Sequence, residues 1–349
     1  MSICDFTIGR MTLGWVFCMR DVPRVKRIVS FLRVVGAVIA AMVAAVGRRL
    51  RRGPLVQGWS WAVELRREAI AALLTAGIES ADPETWNIPS VEAPLPKRLR
   101  AVIEVEPAQV GGVAGEWLRV RGLPSDRPTL LYFHGGGHVV GSPGMERPFI
   151  GELVAAARAD AFSVDYRLAP RHPFPAALDD AIAVFTALPE PERVVVVGDS
   201  AGGNLATALL VRLRDEGLAP PAAAVLFSPW LDLTGTAASI TTNVRYDYLP
   251  DPAPAAAAYL GPTDPTHPYA SPLFADPTGL PPLLVLAGGK EIILDDATRF
   301  AEKAERAGVD VTLHIEPAMF HVWPALIPNH PTSRRTILLV ADWIARTTS

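Results

Sequence analysis

The feature that most restricts what this chain can fold into is a series of eight short apolar runs, most of them separated by helix-patterned stretches. The runs occupy residues 102–106, 116–120, 129–133, 161–165, 193–198, 223–228, 283–288 and 311–316. Several, such as LLYF at 130–133 and VVVVG at 194–198 within their runs, are apolar throughout and do not alternate. Strands read that way when helices cover both faces of their sheet. The pattern predicts an α/β chain with one doubly wound, mostly parallel, eight-stranded sheet. Residues 249–282 are Pro-rich, with an Ala run at 255–258; they read as an excursion from the sheet and part of a lid. The stretch 59–78 repeats apolar residues at helical spacing and predicts an amphipathic helix ending near Gly77. A Pro-rich connector with Pro83, Pro89, Pro94 and Pro96 follows it.

Composition narrows the function classes. With 349 residues, half of them hydrophobic, the chain can bury a large core, which excludes disordered and collagen-like readings. A net charge of −3 argues against a dedicated nucleic-acid binder, which needs a strongly basic face. Both cysteines, Cys4 and Cys18, lie near the start, so neither a disulfide framework nor a Cys-based zinc site can hold the remainder. The near-neutral total is a cancellation. Residues 1–52 hold ten basic and two acidic side chains, a net of +8, and leave −11 for residues 53–349. These are the two expected units: a basic, apolar N-terminal extension and a main domain.

Within the extension, residues 28–46 form an apolar run broken only by the charge of Arg33. As a helix it would measure about 28 Å, barely a bilayer span, with basic residues on both flanks. Membrane association through 28–46 therefore stands open. So do a signal sequence, an additional helix packed on the main domain, and a start codon placed too far upstream. The expected location is cytoplasmic, with the membrane surface as the alternative.

The strongest local motif is Gly198-Asp199-Ser200-Ala201-Gly202-Gly203, directly after the 193–198 run and before a helical stretch. A sharp strand-to-helix turn of this G-x-S-x-G type strains the serine and lifts its hydroxyl above the sheet edge. The small residues let strand and helix approach, and the helix N-terminus favours developing negative charge. No P-loop lysine accompanies it. Upstream, TLLYF runs into His134-Gly135-Gly136-Gly137, matching the loop whose N–H groups form the oxyanion hole of lipases and esterases. Gly136 and Gly137, with the N–H of Ala201, are the candidate donors. His134, Gly135 and Asp199 are read as support for the motif.

A base and an acid should follow the serine. Four histidines do: His267, His314, His321 and His330. His321 comes directly after the last apolar run, where a loop returns to the edge bearing Ser200. Neutral imidazole can take the serine proton near physiological pH. Three carboxylates follow the 283–288 run: Glu291, Asp295 and Asp296. The two aspartates open a helix, where acidic residues cap and complement the dipole, so Glu291 in the loop is the candidate orienter of His321.

In these residues the chain, from about Trp59 to its end, resembles the bacterial hormone-sensitive-lipase-like esterases of the α/β-hydrolase superfamily. Further matches are Asp165-Tyr166-Arg167-Leu168-Ala169-Pro170, His172-Pro173-Phe174-Pro175-Ala176-Ala177, Ser228-Pro229-Trp230 and Phe320-His321-Val322-Trp323. The resemblance implies an α/β-hydrolase fold with a helical cap, contributed by about 53–95 and 230–280. It implies a serine carboxylesterase for short- to medium-chain acyl esters, with the acid in a D-x-L or E-x-L element thirty residues before the histidine, the separation of Glu291 from His321. It makes the cluster at 165–167 structural. Two departures stand out: Arg171 occupies a position that is usually acidic, and the basic extension lies outside the resemblance.

No cofactor is needed, and the seven histidines contain no HExxH or H-x-H pair that would suggest a metal. The expected partner is a small-molecule acyl ester, with no nucleic acid; a homo-oligomer is compatible with the sequence. The same machinery could act as a deacetylase, amidase or lactonase, or survive in a non-catalytic small-ligand binder. An intact Ser200, Glu291 and His321 set disfavours that last reading.

Overall fold

The computed structural model describes residues 24–80, 92–124 and 126–348. Cys4, Cys18, Pro83, Pro89 and the extension before Arg24 lie outside the described residues. Eight strands form one sheet: β1 (Ile103–Val110), β2 (Val113–Val120), β3 (Thr129–Phe133), β4 (Asp160–Val164), β5 (Val194–Asp199), β6 (Ala223–Phe227), β7 (Leu283–Gly288) and β8 (Val311–Glu316). The helices are α1 (Arg24–Arg52), α2 (Trp61–Ser80), α3 (Lys97–Arg100), α4 (Pro143–Ala157), α5 (Ala176–Ala187), α6 (Ala201–Asp215), α7 (Ser239–Thr242), α8 (Ala253–Leu260), α9 (Leu294–Arg306), α10 (Trp323–Leu326) and α11 (Pro331–Thr347).

Strand order is β1-β2-β4-β3-β5-β6-β7-β8, and β2 runs antiparallel to both neighbours. From β4 through β8 every pairing is parallel. The first two strands need no helical crossover because they form a hairpin. Its turn, Gly111-Gly112, has φ of +60° and +79°, a conformation that suits glycine and matches the strand twist. A side chain at Gly111 would also strike the carbonyl of Ala183.

The two-sided burial expected from the apolar runs is realised residue by residue. Leu130 and Tyr132 join one core with Val195, Val197, Phe149 of α4 and Trp343 of α11. Leu131 and Phe133 join the other with Val196, Leu205 of α6 and Phe300 of α9. Alternation along one strand thus feeds two layers, each buried aliphatic side chain contributing about 1.5–3 kcal/mol. Between β6 and β7 the chain leaves the sheet from Ser228 onward, earlier than the Pro-rich segment alone indicates, and carries α7 and α8.

Helix α2 begins at Trp61, since Trp59 is engaged elsewhere. Its indole N–H donates to the carbonyl of Ala318, and its ring meets Phe320 edge-on at 5.6 Å. Farther along α2, the Arg67 guanidinium donates to the carbonyls of Arg245, Tyr246 and Asp247. Helix α1 lies along α2 through a buried carboxylate. Glu64, 1 % exposed, accepts from Arg48 (2.5 Å), Arg49 (2.6 Å) and the Leu55 N–H (3.3 Å). Burial opposes its ionisation, but the bonds from Arg48, Leu55 and Arg49 prevail and hold its pKa below the ordinary value. Among the described residues, no helix is long and apolar enough to cross a membrane.

Removing the Glu64 charge should loosen the α1–α2 seam by roughly 1.5–3 kcal/mol, the range for hydrogen bonds to charged groups. In Glu64→Gln, amide exchange along residues 38–50 is expected to accelerate about tenfold or more while β5 and β6 stay protected. Unchanged exchange in α1 would show that the seam does not rest on this carboxylate.

Candidate active site

The site is built at the carboxyl ends of the central strands. Strand β5 is buried at every position and ends at Asp199. Ser200 follows with φ 55° and ψ −119°, and α6 starts at the next residue. A non-glycine residue in that region is strained, and the strain persists only where the surroundings enforce it. Here they do. The Ser200 N–H donates to the Phe227 carbonyl at 2.9 Å, while its own carbonyl accepts from Asn204 and Trp230. A side chain at Gly202 would lie 2.0 Å from the carbonyl oxygen of Phe133, so β3, β5 and α6 can meet only without one.

The Gly-rich loop leaves β3 alongside this turn. A Cβ placed on Gly135 would be 3.2 Å from the Ser200 Cβ, which sets loop and serine side by side. Gly136 and Gly137 have φ of +113° and +64°, conformations that disfavour any side chain. Ala201, the first residue of α6, has an N–H without a carbonyl partner inside its own helix. Asp199 fastens the loop to the strand: its Oδ1 accepts from the Gly135 N–H at 2.9 Å and from the Tyr132 hydroxyl at 2.6 Å. Burial pushes Asp199 up to about 6, against the pull of Tyr132, His321 and Gly135. His134 stacks on Tyr166 at 4.3 Å, and the Tyr166 hydroxyl donates to its carbonyl. Burial pushes the His134 ring down to about 4, so it is neutral at physiological pH. Of the 165–167 cluster, Tyr166 touches the loop, whereas Arg167 pairs with Asp180.

The other side of the site is a buried carboxylate–imidazole pair. Glu291 is 0 % exposed and His321 is 2 % exposed. Glu291 Oε2 stands 3.6 Å from His321 Nδ1, just beyond direct hydrogen-bond length. Such contacts are often loose in the free enzyme and tighten with ligand. Meanwhile the same oxygen accepts from the Ser228 hydroxyl at 2.6 Å, and Ser228 Oγ in turn accepts the Val322 N–H at 3.1 Å. Ser228, itself at φ 47°, therefore joins the acid to the loop carrying the histidine. Burial alone would depress the His321 pKa, but Glu291, with Asp247 and Asp199 behind it, raises it above the ordinary value.

Asp247 has no counterpart in the sequence reading. Its carboxylate accepts from Ile292 N–H at 2.8 Å, Tyr248 N–H at 2.8 Å and His321 N–H at 3.3 Å. It thereby pins the loop after β7 to the loop after β8, and burial pushes it up to about 6. Nothing around RYDYLP in the sequence marks it, because only folding brings 247 to 292 and 321. Ser228 had a signal, the end of a strand adjacent to β5 within Ser228-Pro229-Trp230.

The rival groups are occupied elsewhere. Asp295 and Asp296 do lie in the first turn of α9, yet they do not cap it. Asp295 accepts the Ser239 N–H, and Asp296 accepts those of Leu231 and Asp232. They hold the chain leaving β6, whose backbone donors would otherwise be buried unpaired. Burial pushes Asp296 up to about 8. His314 sits within edge strand β8, His330 caps α11, and His267 packs against Phe174. Helix α8 of the excursion covers the Gly-rich loop: Tyr259 stacks on His138 at 3.7 Å, and Ala255 abuts Gly137.

This arrangement has close counterparts. Residues 130–325 match a family model described as an alpha/beta hydrolase fold. An acetyl-hydrolase of Streptomyces hygroscopicus is 44% identical over 246 residues, 68% of this chain and 82% of that protein. An esterase of Acinetobacter venetianus is 36% identical over 251 residues, 69% of this chain and 82% of that protein. Among solved structures, an esterase/lipase from an uncultured bacterium matches with TM-score 0.71 at 36% identity, covering 88% of this chain and 98% of that one. A second, an esterase from the bacterial hormone-sensitive lipase family, matches with TM-score 0.71 at 34% identity, covering 92% and 98%. Sheet order, strained serine turn and these likenesses agree: the chain belongs to the α/β-hydrolase fold family, among the bacterial hormone-sensitive-lipase-like esterases, and is a carboxylic ester hydrolase.

Proposed function

We propose that the chain hydrolyses short-chain acyl esters through a Ser200 acyl-enzyme, with His321 as base and Glu291 as its orienter. The observation that carries this reading is the strained Ser200 at the end of β5, flanked by the Gly-rich loop and accompanied by the buried His321–Glu291 pair at 3.6 Å. In the first half-reaction Ser200 Oγ bonds to the ester carbonyl carbon as its proton passes to His321. The carbonyl oxygen takes up the negative charge and accepts hydrogen bonds from Gly136, Gly137 and Ala201, each worth about 2.7–4 kcal/mol where such donors have been removed. His321 returns the proton to the leaving alkoxide. Water, deprotonated by His321, then bonds to the acyl carbon; the bond to Ser200 Oγ breaks, the acid leaves, and His321 returns the proton to Oγ.

Residues 53–80 and the excursion with α8 form the cap in this reading. Ala255 lies against Gly137 and Tyr259 stacks on His138 beside the oxyanion loop, cover that in this reading favours acetyl to butyryl chains. The 44%-identical acetyl-hydrolase supports a short acyl group. On p-nitrophenyl esters, kcat/KM is therefore expected to fall from butyrate to octanoate; a rise with length would refute the short-chain assignment.

Ser200→Ala should abolish turnover and labelling by a fluorophosphonate probe. Glu291→Ala should lower kcat about 10³- to 10⁴-fold, the scale for removing a triad orienter, while Asp295→Ala costs little. The reverse ranking would reassign the acid.

Because His321 must be neutral to accept the serine proton, activity should fall on the acid side with an apparent pKa above that of a free histidine. Asp247→Asn removes one of the negative charges that favour the imidazolium, so this limb should move to lower pH. A limb of kcat/KM against pH that stays in place in the variant would exclude an electrostatic role for Asp247.

A further inference from the structure

Helix α1 is the one motif of the sequence that hydrolysis does not use. Its inner side is packed, with Val34 and Ala45 buried and Arg48 and Arg49 bound to Glu64. Its outer side is not. Val35, Ile39, Val43, Val46 and Leu50 are all exposed, Ile39 at 57%, Val43 at 66% and Leu50 at 74%. Their spacing of four, four, three and four residues keeps them on one stripe within roughly a quarter of the helix circumference. Along the helix the stripe runs about 22 Å.

The residues bordering this stripe decide what fits it. Arg33 stands at one end, and Arg51 and Arg52 stand at the other, all exposed. No acidic residue occurs anywhere in α1. A second copy of the helix laid antiparallel would bring Arg33 against the partner's Arg51 and Arg52, and a parallel copy would set like charges side by side. A surface that is apolar beneath and negative at its rim complements the pattern instead. We propose that α1 is an interfacial anchor: its stripe enters the headgroup–acyl boundary of an anionic phospholipid bilayer, lying in the membrane plane, while Arg33, Arg51 and Arg52 meet the headgroups. This geometry agrees with the absence, among the described residues, of a helix able to cross a membrane. It is the arrangement expected of an amphipathic helix with a basic border.

The test is co-sedimentation of the full chain with vesicles of phosphatidylcholine alone and of phosphatidylcholine with about one-third phosphatidylglycerol, at low and high salt. The wild-type protein should bind the anionic vesicles, bind the neutral ones weakly, and be released by salt. The triple variant Ile39→Gln, Val43→Gln, Leu50→Gln should lose about tenfold or more of the bound fraction. These side chains touch nothing in the hydrolytic site, so turnover of a soluble ester is expected to persist and reports that the variant is folded. Failure of the wild type to bind anionic vesicles overturns the proposal, as does equal binding by the triple variant or equal binding to neutral vesicles. A wild-type dimer that the triple variant converts to monomer, without vesicle binding, would overturn it by making the stripe a contact between copies.

Discussion

One buried carboxylate holds the hydrolytic apparatus in register. Asp199 terminates β5, and through a single oxygen it accepts the Gly135 N–H of the loop after β3 and the hydroxyl of Tyr132 within β3. The strand that ends at Ser200 and the loop that flanks it are thus tied at the point where added side chains would collide. Glycine at 198, 202 and 203 is the steric counterpart of that tie, since a Cβ at 198 would lie 2.2 Å from the Gly202 carbonyl oxygen. The strained conformation of Ser200 is what remains once these constraints are imposed together.

Around His321 the acidic residues divide their work by position. Glu291 faces the imidazole, and Asp247 gathers the backbone N–H groups of the two loops that present the pair. Asp295 and Asp296, only four and five residues beyond Glu291, serve the segment leaving β6. Asp247 and Asp296 accept three and two backbone N–H bonds, which offset the cost of removing charge from water, whereas Glu291 accepts one, from the Ser228 hydroxyl.

The sheet was readable because double burial writes itself as continuous apolar runs; all eight strands lie within a few residues of their predicted positions. Ser200 follows β5 directly, and Glu291 and His321 lie three and five residues past β7 and β8, so each was a candidate from its place after a strand. Asp247 was not, since its partners are 45 and 74 residues away in sequence and no local pattern encodes them. The antiparallel placement of β2 was equally silent, because pairing partners are set by folding and not by the composition of a run. At the start of α2, helical periodicity swept in Trp59, whose indole instead reaches the loop before His321. Periodicity registers apolar spacing and cannot distinguish a helix from a residue docking just ahead of it.

Arg67 carries a consequence for how the molecule assembles. One guanidinium serves three consecutive carbonyls, the last of them that of Asp247, whose side chain in turn fixes the His321 loop. Helix α2 cannot withdraw by degrees, because losing this side chain strips three acceptors at once. Helix α2 is thereby tied, through Arg67 and Asp247, to the loop that carries His321.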